Sequence, residues 1–247
     1  MCGRYTITMP PDAMRELFGF EERPNFPPRF NIAPTQPVPI VILDGGKRRF
    51  LLVRWGLVPS WAKEAPASLL INARAETVAE KPSFRGSFRH RRALMPADGF
   101  YEWKAEGSKK HGGAKQPYVI RRRDRQPFAM AALWDNWMPA DGSEIDSCAA
   151  VTCEANETLV AIHHRMPVIL DEKDWDTWLD PATPPKELQT LMRPAPADLL
   201  DAQPVSTRIN RVANDDATLL DPAAIEPEPE KPARPKKEPD TRQMGLF

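Results

Sequence analysis

The stretch Ala93-Leu94-Met95-Pro96-Ala97-Asp98-Gly99-Phe100-Tyr101-Glu102-Trp103 decides the fold class. It reads as two short strands, 93–96 and 99–103, separated by a turn. Working outward, further strand-like runs occur at 39–43, 49–55, 117–122, 128–134 and 148–152. Helical patterns fit 12–18, with Asp12 as N-cap and Gly19 as the stop, and also 81–91, 156–162, 172–179 and 186–192. Proline-rich loops cover 23–29 and 33–39. Strands come in clusters with turns between them, βαβ alternation is absent, and no internal repeat is present. The pattern predicts an α+β fold: one compact domain with a curved, largely antiparallel, barrel-like sheet flanked by helices.

Composition shifts abruptly near Pro222. Residues 222–247 hold six prolines and a run of Glu and Lys, with few large apolar side chains before the last five residues. Such a segment buries too little surface to offset its ordering entropy. The division expected is a folded domain over 1–221 and a disordered tail over 222–247. The tail ends in Gln243-Met244-Gly245-Leu246-Phe247, which is unusually apolar for its context.

With 41% hydrophobic and 28% charged residues, the chain has the composition of a soluble globular protein. It shows neither a signal-peptide pattern nor an apolar run approaching the ~20 residues that span a bilayer, so a cytoplasmic protein without membrane contact is expected. Lys+Arg and Asp+Glu are equal at 34 each, so net charge does not identify a partner. Distribution is more informative: from Lys81 to Arg125 there are 13 basic residues against four acidic ones. That stretch reads either as a phosphate-tracking surface or as a solvated face balanced by acids elsewhere in the fold.

Cys2, Cys148 and Cys153 are too few for a disulfide framework or a four-ligand zinc site, and no metal or cofactor is expected. Cys148 and Cys153 lie in an apolar run and read as core thiols. Cys2 differs, because removal of Met1 places an amine and a thiol on adjacent carbons. The α-amino group, with a reference pKa of about 7.7–8.0, is partly nucleophilic at neutral pH, and an adjacent ammonium lowers the thiol's pKa. An amine condenses with an aldehyde to an imine, and the neighbouring thiol then closes a five-membered thiazolidine. The same start also suits a class II glutamine amidotransferase-like amidohydrolase, in which the N-terminal cysteine attacks an amide. A third reading is a non-catalytic module that binds single-stranded DNA.

Longer segments discriminate between these. Met1-Cys2-Gly3-Arg4-Tyr5, Asn31-Ile32-Ala33-Pro34-Thr35, Trp55-Gly56-Leu57-Val58-Pro59-Ser60-Trp61 and Ile71-Asn72-Ala73-Arg74-Ala75-Glu76-Thr77 occur in order. They are followed by Pro96–Trp103, Ile162-His163-His164-Arg165-Met166-Pro167-Val168 and Val205-Ser206-Thr207. Together they closely resemble the SOS response-associated peptidase family over roughly residues 1–215. The resemblance implies a sensor of abasic sites in single-stranded DNA that forms a thiazolidine crosslink through Cys2. It further implies loss of Met1, autocatalytically or by an aminopeptidase, and with it peptidase and possibly lyase activity.

The same resemblance makes Cys2 the nucleophile, Asn72 a hydrogen-bonding group beside it, Glu102 the general acid/base and His163 the residue that steadies the opened sugar. Arg4, Arg74 and Arg165 are then DNA contacts, with Trp55 and Trp61 as aromatic candidates for base stacking. From pattern alone Glu102 also reads as a solvent-facing strand residue, His163 as a helix-end histidine, Asn72 as a turn residue and both tryptophans as core. Gln243, Leu246 and Phe247 resemble the bacterial sliding-clamp-binding motif, which would tether a monomer to the replication fork in the nucleoid.

Overall fold

The computed structural model describes residues 2–105 and 115–223. In chain order the elements are β1 (Tyr5–Ile7), α1 (Pro11–Phe18), β2 (Arg29–Ile32), β3 (Pro37–Asp44), β4 (Lys47–Trp55), β5 (Asn72–Arg74), α2 (Pro82–His90), β6 (Arg92–Ala97), β7 (Gly99–Ala105) and β8 (Lys115–Arg122). Then come β9 (Phe128–Trp137), β10 (Ile145–Glu154), β11 (Arg165–Pro167), β12 (Ile169–Leu170), α3 (Trp175–Leu179), α4 (Pro185–Leu191) and β13 (Leu200–Pro204). Short 3₁₀ turns at Thr207–Asn210 and Ala217–Leu220 follow.

The α+β expectation holds, and the sheet does curl. β3 and β4 form a hairpin that turns on Gly45-Gly46, both at positive φ, the backbone that a two-residue turn between twisted strands requires. β3 pairs with β6, β6 with β9 and β9 with β10, all antiparallel, and β10 pairs parallel with β4. The ring β10–β4–β3–β6–β9 is therefore closed. Small side chains at Ala93, Ala129, Ala131, Ala132, Ala149 and Ala150 are buried and let the strands converge. β10 is covered along most of its length, which explains why it reads as an unbroken apolar run with Cys148 and Cys153 in the core. A second, five-stranded antiparallel sheet runs β13–β8–β7–β1–β2.

The helices seal the outside. Met14 and Phe18 of α1 are buried, and Phe18 stacks on Trp175 at 4.7 Å. Gly19 ends α1 in the left-handed conformation as expected, but Asp12 is not the cap: Pro10 holds that position, with no side-chain cap bond. Arg92 is buried, its guanidinium on the carbonyls of Phe88, Arg89, Trp178 and Asp180. Among the described residues no helix is long and apolar enough to cross a membrane.

Two readings of local structure change. The segment 156–162 forms turns and not a helix; Asn156 accepts from Leu159 N and donates to Ala195 O, which ties down its amino-terminal end. Strands β1, β2, β5, β11, β12 and β13 were not expected, since two to five residues show too little alternation to register. The tail expected over 222–247 lies outside the described residues apart from Pro222 and Ala223.

Candidate active site

The site forms where the amino-terminal arm enters between the two sheets. β1 pairs with β7 through Tyr5↔Phe100 and Thr6↔Gly99. The approach is close enough that a Cβ on Gly99 would sit 2.9 Å from Thr6 Cγ2 and from Arg121 Cγ, so only glycine fits. Tyr101 N donates to Arg4 O at 2.9 Å, continuing the ladder. Antiparallel running then carries Gly3 and Cys2 towards Glu102 and Trp103.

Cys2 is buried, and its carbonyl accepts from Asn72 Nδ2 at 2.9 Å. Asn72 opens β5, which lies parallel to β10 with Asn72 opposite Ala150. Its Oδ1 is buried without a hydrogen-bond partner, an acceptor left over beside the cysteine. Burial pushes the Cys2 thiol well above its ordinary range, and the Glu102 charge pushes the same way. The lowered thiol pKa expected beside a free ammonium belongs to the Met1-free chain; with Met1 attached the Cys2 nitrogen is a peptide, and the amino-terminal charge lowers the thiol pKa by less than burial raises it.

Glu102 sits on β7 as a buried carboxyl, not a solvent-facing strand residue. Burial raises its pKa from 4.5 to about 7. His163 lies between the turns that end at Ile162 and β11, not at a helix end. Its Nδ1 lies 3.8 Å from Glu102 Oε1 and accepts from Arg165 N at 3.0 Å. Arg165 O lies 3.2 Å from the same nitrogen, so in the neutral ring Nδ1 accepts from that N–H or donates to that carbonyl according to the tautomer. Burial holds His163 below its ordinary pKa, which favours that neutral form. A cleft of about 410 Å³ is lined by Glu102, Trp103, Lys115, His163 and Asn210.

The arginines divide. Arg74 is exposed and shares a strand face with Asn72, two residues away. Arg4 is half-buried, with Nη1 on Asn31 Oδ1 and Ile209 O, both at 2.8 Å. Arg165 is corrected from a surface contact to an internal tie: it is buried, its fork bonded to Glu76, with a further bond to Thr152 O at 2.5 Å.

The tryptophans divide too. Trp55 is 1% exposed, with Nε1 on Ile71 O, and belongs to the core, so it is not the base-stacking residue its motif suggested. Trp61 is 65% exposed and walls a groove of about 430 Å³ with Arg85, Arg89 and His90. Three of the thirteen basic residues of the run are paired with acids: Arg91 with Asp135, Arg122 with Asp124 and Arg125 with Asp201.

Lys115, Trp103 and Asn210 were not singled out as site residues. Lys115 was one of many basic residues, Trp103 part of a motif read for its glutamate, and Asn210 carried no signal. Gln243, Leu246 and Phe247 lie outside the described residues. Among the described residues no group of three or more His, Cys, Asp or Glu side chains is placed to hold a metal.

Comparison with known proteins places this geometry in context. The family model described as SOS response associated peptidase (SRAP) matches residues 1–212. The chain is 38% identical over 226 residues to the abasic site processing protein YoqW of Bacillus subtilis (strain 168), covering 90% of this chain and 99% of that protein. It is 32% identical over 230 residues to the abasic site processing protein YedK of Escherichia coli (strain K12), covering 90% of this chain and all of that one. A crystal structure of a Bacteroides thetaiotaomicron protein superposes with a TM-score of 0.80 at 25% identity, covering 90% of this chain and 100% of that chain.

Proposed function

The chain belongs to the SOS response associated peptidase family, and on that premise we propose that it processes abasic sites in single-stranded DNA by capturing them covalently through Cys2. The observation that carries the reading is the convergence of Asn72, Glu102 and His163 on a cysteine one residue from the chain's start. No cysteine elsewhere in the chain can offer a free amine beside its thiol.

Release of Met1 frees the Cys2 nitrogen. The neutral amine attacks C1′ of the ring-opened sugar, and the carbonyl oxygen takes a proton to give a carbinolamine. Its hydroxyl leaves as water with a proton from Glu102, whose pKa near 7 keeps a protonated fraction at neutral pH, and the resulting iminium returns its nitrogen proton to that carboxylate to give the neutral imine. The Cys2 sulfur then adds to the imine carbon while its proton passes to the imine nitrogen. The sum is amine, thiol and aldehyde in, thiazolidine and one water out.

His163 hydrogen-bonds a sugar oxygen, and the spare Asn72 Oδ1 accepts from the reacting nitrogen. Release of Met1 by the same groups gives the peptidase activity. Arg74 and the Trp61 groove extend the contact along the strand by charge and stacking. The protein acts as a monomer near replication forks, and Gln243, Leu246 and Phe247 dock on the sliding clamp.

The test is intact-mass analysis after mixing Met1-free protein with uracil-excised single-stranded DNA. The expected product is protein plus DNA minus one water, stable to denaturation. Equal adduct from a protein that retains Met1 rules the mechanism out. Ammonia release from glutamine without any DNA adduct supports the amidohydrolase reading in its place.

A further inference from the structure

The cleft wall opposite the reacting groups is built more tightly than an exposed surface requires. Trp103 Nε1 donates to Asn210 Oδ1 at 2.7 Å. An indole N–H has no acceptor capacity, so the amide oxygen of Asn210 must face the indole. Both Nδ2 hydrogens are thereby left for the cleft that Asn210 lines.

The backbone carrying Asn210 is fixed from behind by Asn31. Its Nδ2 lies 3.2 Å from Ile209 O, 3.2 Å from Arg211 O and 2.8 Å from Asn214 O. Arg4 Nη1 bonds the same Ile209 carbonyl, and Asp215 Oδ1 accepts from Asn31 N at 3.0 Å. On the same cleft, the first residue of β8 supplies the exposed cation Lys115.

We propose that Lys115 and Asn210 form an oxyanion subsite that takes a phosphate flanking the abasic sugar, with Trp103 and Asn31 as positioning residues. A phosphate oxygen accepts only, and here it meets a compact ammonium beside an amide whose donors are pre-aimed. The subsite also offsets the repulsion between a DNA phosphate and the Glu102 carboxylate on the same cleft. The inference rests on the reading of this cleft as the abasic-DNA site.

The experiment measures binding of full-length protein to single-stranded DNA carrying a tetrahydrofuran abasic analogue, across a sodium chloride series. Capture of a reactive abasic strand is followed in parallel. Lys115→Gln is expected to make the slope of log K against log salt shallower by about 0.7, and Lys115→Arg to restore it. Asn210→Asp keeps the acceptor for Trp103 but replaces the donors with negative charge, and is expected to weaken binding by about tenfold or more. Slopes and affinities are read on folded protein, so a purely structural role lowers the active fraction without moving them. An unchanged slope in Lys115→Gln, or wild-type affinity in Asn210→Asp, overturns the subsite. Wild-type protein that captures no reactive abasic strand overturns the parent reading instead.

Discussion

Replacing Glu102 by Gln should stabilise the protein and disable it at once. Glu102 is buried on β7, and burial moves its carboxyl from 4.5 to about 7. At 1.36 kcal/mol per pKa unit, that displacement puts a cost of about 3 kcal/mol on the ionised folded form. The folded protein holds this proton more tightly than the unfolded chain. The glutamate's contribution is therefore intact below pH 4.5, declines as pH rises towards 7, and is fully lost above it. Glutamine cannot ionise, so Glu102→Gln should match wild type near pH 4 and exceed it by about 1–3 kcal/mol at pH 8.5. The lower bound allows for imperfect pairing of the new amide.

The assay is urea unfolding at both pH values on proteins with the same amino terminus, checked by intact mass. In heat, each kcal/mol should appear as about 2–4 °C in a domain of this size. The same variant should capture abasic DNA about 10²–10⁴-fold more slowly, the usual worth of a general acid. A variant less stable than wild type at pH 8.5 but not at pH 4 would show that the carboxylate is a favourable ion and not one that burial penalises.

Cys2→Ser keeps the amine and loses the ring closure, so its adduct should survive denaturation only when reduced with borohydride; an unreduced, stable adduct would contradict the thiazolidine. Trp61→Ala should weaken binding to undamaged single strands by about 1–3 kcal/mol without lowering the melting temperature, whereas Trp55→Ala should cost about 3–5 kcal/mol of stability and leave the affinity of the folded fraction unchanged. Capture needs a protonated Glu102 and a neutral Cys2 amine, so its rate should trace a narrow bell centred between about pH 7 and 8; a rate still climbing at pH 9 excludes the acid role. Deleting residues 243–247 should abolish pull-down by the sliding clamp and leave capture intact, and retained clamp binding would end the tether proposal.

Sequence reasoning recovered what depends on local periodicity. The long strands β3, β4, β9 and β10 show themselves because they are apolar over five or more positions. Closure of the barrel does not, because the parallel β4–β10 pairing joins residues more than ninety positions apart. Motif membership located the neighbourhood of the site but not the orientation of its side chains. Arg74 and Arg165 sit in equally distinctive segments, yet one is exposed and the other buried on Glu76 and Thr152. Trp55 and Trp61 lie six residues apart in a single motif and divide the same way, since only Trp55 falls on a strand of the closed barrel. Asn210 could not be found at all, because its importance comes from Trp103 and Asn31, brought to it across more than a hundred residues.

The raised pKa of Cys2 bears on the order of bond formation in the proposed reaction. A thiol held protonated by burial is a poor first nucleophile. Direct attack on the aldehyde would require a thiolate beside the Glu102 carboxylate, which the charges oppose. The amine bears no such handicap, because its attacking form is neutral and burial favours neutral forms. Once the imine exists, sulfur no longer needs to ionise in advance: its proton moves to the imine nitrogen as the C–S bond forms, and no isolated anion appears in the buried site. The environment that suppresses the cysteine as an ordinary nucleophile therefore suits it to the second step, and protects it from adventitious thiol chemistry until an aldehyde has reacted with its own amine.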